Sequence, residues 1–143
     1  MFTDLVALFP NLRTEAYHIT SLCTIDYNCV AYAFGDQTQR WEPDPHNIYH
    51  WPISKRDLKV KTWVLAAESL GFTVCKSDAF EDGFVKVAIY AKKGKATHVA
   101  RQLPDGMWTS KLGDLEDITH TLIGIVNTRY GEPSTFLKKK LTP

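Results

Sequence analysis

Cys29 and His98 are the two residues of this sequence from which nucleophilic chemistry can be assembled. Cys29 lies within Asp26-Tyr-Asn-Cys-Val-Ala-Tyr-Ala-Phe-Gly-Asp36. There the apolar positions Val30, Ala31, Ala33 and Phe34 predict a short helix whose first turn carries the thiol. Gly35 is the left-handed terminator such a helix calls for, and Asp26 or Asn28 caps its front. A thiol at that place sits beside unsatisfied backbone N–H groups and the positive end of the helix dipole, which favour thiolate over thiol. His98 opens a strand just after a tight turn and is expected at a sheet rim. It shares a face with Ala100 and Gln102, opposite Val99, Arg101 and Leu103. Each residue alone has an ordinary reading, as a small buried cysteine in an Ala-rich helix and as a hydrogen-bonded histidine on a sheet. As a pair they set a thiolate beside an imidazolium, and the ring then returns its proton to a leaving group.

The elements that must position this pair follow from hydrophobic period and turn signals. Residues 3–9, with a Thr3 cap and Pro10 as a stop, predict a short helix. Ser54 as N-cap and Asp57 at the capping-box position introduce the main helix, whose stripe Leu58, Val60, Trp63, Val64, Ala67 and Leu70 ends at Gly71. Residues 72–75 read as a short strand. From residue 84 the period falls to two: strands at 85–91, 97–103 and 107–111 form an antiparallel meander, with turns at 92–95 and Pro104-Asp-Gly106. Residues 113–120 resemble a capped helix start running to about 124, and 134–138 an edge strand protected by lysines. Between the cysteine helix and the main helix, residues 40–52 hold three prolines with Trp41, Tyr49 and Trp51. This aromatic loop is expected to pack as the wall of a cleft. The class is α+β: N-terminal helices packed on a small antiparallel β-meander, in a single domain over residues 1–143.

Composition narrows the function classes. The chain has 143 residues, 44% hydrophobic and 23% charged, with a formal net charge of +1. That charge gives no footprint for nucleic acid, and Lys138-Lys-Lys140 reads as a solvated tail. No apolar run suits a membrane span, and the N-terminus lacks the regions of a signal peptide. Cys23, Cys29 and Cys75 are odd in number and have no metal-type spacing, which fits a reducing compartment. The expectation is a cytoplasmic protein, or one exported without a cleavable signal, with no cofactor and no metal. His46 and His50 stand four apart, but the neighbouring prolines deny them a helix on which to form a metal pair. His18 and His120 have no visible partner.

Asn28-Cys29-x-Ala31-x-Ala33, then His98-Val-Ala and a hairpin through Asp105-Gly106 to Trp108-x-Ser110, resemble the papain-like fold of the NlpC and CHAP groups of bacterial cysteine peptidases and amidases. More narrowly, Tyr27-Asn-Cys-x-Ala, the Trp41 to Trp51-Pro52 loop, Thr97-His98 and Ala100-Arg-Gln-Leu-Pro-Asp-Gly-x-Trp-Thr-Ser-Lys-Leu-Gly113 resemble an uncharacterised family of small bacterial proteins. The resemblance implies a Cys29 nucleophile, a His98 base and a third polar residue on the next strand. The matching position is nearest Ser110, where such proteins more often carry His, Asn, Gln or an acid; by register Gln102 or Asp114 is the alternative. An oxyanion site would use the Cys29 N–H, with Asn28 or Tyr27. Trp41, Trp51 and Gln102 are further substrate-side candidates. The function these residues imply is a thiol-dependent hydrolase or acyl-transfer enzyme acting on a peptide or protein. The alternative is a catalytically silent papain-like module that binds a protein partner, as an interaction or immunity-type protein.

Overall fold

The structure, a computed structural model, describes residues 3–142. Its strands are β1 Tyr17–Ile19, β2 Thr73–Cys75, β3 Phe84–Lys92, β4 Lys95–Gln102, β5 Trp108–Lys111, β6 Asp117–His120 and β7 Glu132–Lys140. All pair antiparallel in one sheet, in the order β1-β6-β5-β4-β3-β7-β2. The β3–β4 hairpin turns on Lys93 and Gly94, with φ of 51° and 78°. Two positive φ values in succession match the right-handed twist of the flanking strands.

Strand alternation separates two cores. Val87, Ile89, Val99 and Leu137 face a layer made by α2 (Cys29–Ala33), α3 (Val60–Ser69) and the aromatic loop with Trp41 and Trp51. Ala88, Tyr90, Ala100, Trp108 and Ile118 face the opposite layer, formed by α1 (Leu5–Leu8), the following 3-10 turn and Ile125. Leu5, Phe9 and Leu12 anchor that second layer. Removing each such side chain from water contributes about 1.5–3 kcal/mol.

This is not the expected papain-like architecture of N-terminal helices on a small meander. The sheet has seven strands and dominates the molecule, and the three α-helices have four, five and ten residues. The predicted helix at 113–124 is the largest departure. Gly113 (φ 62°) and the bond from Leu112 N–H to Glu116 O make a reversing turn there, and Asp117–His120 then pairs with β5. Ile118 and Thr119 suit a strand, and pairing on an open edge outweighs the local capping signal.

The main helix begins at Val60, not after Ser54. Its N-cap Lys59 has no side-chain cap bond, and the Asp57 carboxylate accepts the Lys59 N–H at 3.0 Å instead. The expected edge strand at 134–138 is the longer inner strand β7, flanked by β3 and β2. The edges are β1, unrecognised in the sequence, and β2. The amino-terminal helix is the single turn Leu5–Leu8, capped by Asp4, whose carboxylate accepts the Ala7 N–H.

Candidate active site

Asn28 fixes the cysteine. As N-cap of α2 it accepts the Ala31 N–H at 3.3 Å. The same side chain accepts the Trp41 N–H at 2.9 Å and donates to the Trp41 carbonyl at 2.8 Å. One buried amide thus ends the helix and staples the aromatic loop to its front. Gly35, at φ 86°, closes the other end.

The Cys29 sulfur meets the sheet where its ladder opens. Strands β4 and β5 pair only at Arg101 with Thr109 and Gln102 with Trp108. Leu103 N–H donates to Met107 O, so by two-residue alternation Arg101 and Val99 direct their N–H groups towards β5 as well. Opposite Val99 the β4–β5 pairing has ended, and the Val99 and Val30 N–H groups lie where they favour the Cys29 thiolate. Burial nevertheless pushes the thiol up to about 11. Desolvation thus works against the expected thiolate in the resting protein, outweighing the N–H groups at the front of a one-turn helix.

His98 follows a bulge. Tyr90 pairs with His98 but Ala91 pairs with Ala96, leaving Thr97 as the extra residue. The Thr97 hydroxyl reaches the Tyr90 and Tyr130 carbonyls, at 3.2 and 2.5 Å. The bulge thereby ties β4 to the 127–131 loop. At Gly131 (φ 71°) the loop lies so close that a Cβ would strike the Ala91 carbonyl. This approach lays the Tyr130 ring on the His98 ring, 4.3 Å between centroids and 16° between planes.

A chain of three buried side chains crosses from β4 to β6. His98 Nε2 lies 2.9 Å from Ser110 Oγ, which lies 2.7 Å from His120 Nε2, and His120 Nδ1 lies 2.7 Å from the Thr121 carbonyl. The direction of each bond is fixed by its far end. A carbonyl only accepts, so His120 carries its proton on Nδ1 and presents a lone pair at Nε2. Ser110 therefore donates to His120 and accepts from His98, which places the His98 proton on Nε2. His98 Nδ1 is left as a bare lone pair, buried and without a hydrogen-bond partner. Burial lowers both imidazoles, His98 well below its usual range and His120 to about 4, so both are neutral at pH 7.

Among the residues expected at a site, the structure joins Ser110 to His98 directly, and no hydrogen bond joins the Cys29 sulfur to the His98 ring. The two alternatives for Ser110 lie elsewhere. Gln102 donates to the Asp78 carbonyl at 2.8 Å, and the Asp114 carboxylate pairs with Arg40 at 2.8 Å. Tyr27 donates to Asp117 Oδ2 at 2.6 Å and belongs to the core. Trp51 donates to the Lys55 carbonyl and packs on Trp63, and does not itself line the cavity that Trp41 helps to wall. His120 was missed because its sequence neighbourhood read as helix; once 117–120 is a strand, its two-residue spacing from Ile118 puts it on the Ser110 face. Lys111, at the end of β5, is fully buried.

Cys29 opens on a cavity of about 830 Å³. Its floor includes Asn28, Trp63, Ala96 and Tyr130, and Arg40, Glu42, Asp114 and Arg129 lie on its wall. Arg40 bridges Glu42 and Asp114 across the rim. The aromatic loop thus contributes Trp41, Glu42 and Pro43 to this wall, while Ile48 is exposed. Among the described residues no group of His, Cys, Asp or Glu is arranged to hold a metal, and no helix is long and apolar enough to cross a membrane.

A seven-stranded antiparallel sheet that presents a helix-front cysteine and a serine-linked histidine pair defines the kind of protein this is. The chain belongs to the family described as Domain of unknown function (DUF7689), whose model matches residues 18–138. No curated protein and no solved structure matches it.

Proposed function

We propose that this protein is a thiol-dependent hydrolase or acyl-transfer enzyme acting on an amide bond of a peptide or protein, with Cys29 as nucleophile and His98 as base. The observation that carries this reading is the bare Nδ1 of His98. An unpartnered lone pair is costly to bury, and a positioned proton acceptor is a use for it. The Cys29 sulfur lies beside the Val99 N–H, while the His98 ring sits with Tyr90 and Tyr130 in the opposite layer, so the reaction requires substrate entry to bring thiol and imidazole together.

In the reaction the thiol gives its proton to His98 Nδ1 as sulfur attacks the carbonyl carbon. The Cys29 N–H steadies the oxyanion. The imidazolium protonates the departing amine, leaving an acyl-thioester on Cys29. Water or a second amine, deprotonated by His98, then releases the acyl group. Removal of ammonia from a glutamine side chain is the same chemistry. Ser110 and His120 hold the His98 tautomer through both halves. With thiol and imidazole neutral at rest, proton transfer accompanies substrate entry rather than preceding it. Three free cysteines support a cytoplasmic setting.

One observation favours the second reading, a silent module that binds a protein partner: no carboxylate supports His98, and a serine steadies an imidazolium less. A burst experiment separates the two. Mixing the protein with p-nitrophenyl acetate is expected to release about one equivalent of nitrophenol per chain by acylating a single enzyme thiol. Both Cys29→Ala and His98→Ala are expected to abolish the burst, while Cys23→Ala and Cys75→Ala leave it intact. Acetylation confined to Cys23 or Cys75, or a burst that survives His98→Ala, sinks the enzyme reading.

A further inference from the structure

The groups against His98 come from four elements, and none is an anion. They are Tyr90 on β3, Ser110 on β5 with His120 behind it on β6, and Tyr130 on the 127–131 loop. A base in such surroundings must acquire a positive charge with no carboxylate to balance it. Tyr90 meets the imidazole at a steep angle, 73°. Tyr130 lies flat on it, with its ring face covering the ring that would become charged. The negative face of an aromatic ring attracts a cation within about 6 Å, and more strongly when both are out of water.

We propose that Tyr130 is a positioning residue that stabilises the imidazolium form of His98 through its ring face. The inference rests on reading His98 as the base. It also accounts for local structure that the three-residue chain does not use. The Thr97 bulge, the contact of its hydroxyl with the Tyr130 carbonyl, and the close approach of Gly131 to Ala91 all converge on holding this one ring. The Asn127 side chain adds to them by accepting the Arg129 and Tyr130 N–H groups at 3.0 and 2.7 Å. The tyrosine hydroxyl is not needed for this role: phenylalanine retains the ring face, whereas leucine removes it.

The test is to titrate the His98 ring by two-bond ¹H–¹⁵N NMR in the wild-type, Tyr130→Phe and Tyr130→Leu proteins. In Tyr130→Leu the midpoint is expected to fall by about one pH unit, a tenfold loss of imidazolium at a given pH, with Tyr130→Phe staying close to wild type. Where the leucine variant fails to fold, Tyr130→Met keeps the buried volume without the π face and is expected to show the same fall. An unshifted midpoint in Tyr130→Leu or Tyr130→Met overturns the proposal, as does a full shift in Tyr130→Phe. Because the ring is observed directly, these outcomes stand apart from the burst experiment: loss of the burst in all proteins would remove the enzyme reading and leave the titration to decide the role of Tyr130.

Discussion

Ser110→Ala is expected to lower stability by about 2–4 kcal/mol and to slow acylation of Cys29 by about 100-fold or more. Its hydroxyl is the single link between two fully buried imidazoles. Alanine leaves the His98 Nε2–H without an acceptor and His120 Nε2 without a donor. Each orphaned group costs about 1–3 kcal/mol. The effect on rate has a separate cause: with Ser110 gone, nothing fixes the His98 proton on Nε2, and the tautomer with Nδ1 already protonated cannot accept from a thiol. Urea unfolding and the nitrophenol burst measure the two effects. A variant as stable as wild type, or one that acylates at the wild-type rate, would show that the serine link does neither job.

Acid is expected to unfold the protein through the same pair of histidines. A histidine whose native pKa lies below its unfolded value contributes stability that is present above about pH 6.5 and is lost as the pH falls, because the unfolded chain takes up protons that the native state refuses. His120 is held to about 4 and His98 well below its ordinary range, so the loss runs from about pH 6.5 down to pH 4. Two protons correspond to about 2.7 kcal/mol per pH unit across most of that window. Denaturant unfolding at pH 7, 6, 5 and 4.5 measures the slope, and His120→Gln should halve it. Stability that stays flat from pH 7 to 5 would mean that at least one ring accepts its proton in the folded state.

How far the sequence disclosed this molecule depended on whether a signal was local. The helix front at Cys29 was legible because Asn28, the Ala-rich turn and Gly35 lie within eight residues and act on one another. The β3–β4–β5 meander was legible from its period of two and its glycine turns. What failed was decided by strand pairing that no local capping or period signal carries. Gly113-Asp-Leu-Glu carries a valid helix-start pattern, but the open side of β5 offers Asp117–His120 a ladder, and the ladder prevails. With that strand unseen, His120 had no partner and the chain beyond Ser110 stayed hidden.

Charge states were illegible for a similar reason. A cysteine at a helix front predicts a thiolate only while water or a cation is near, and the sequence does not show how strongly the fold desolvates the sulfur. The Thr97 bulge is likewise a matter of register, and only the register shows that Tyr130 is drawn onto His98.

The claim on which the rest turns is that the hydrogen-bond chain leaves His98 Nδ1 deprotonated and free. Two-bond ¹H–¹⁵N NMR on the wild-type protein at pH 7 reads this from the chemical shifts and coupling pattern of one ring. The expected result is a neutral imidazole with its proton on Nε2 and a pyridine-like Nδ1. A proton on Nδ1 would contradict it.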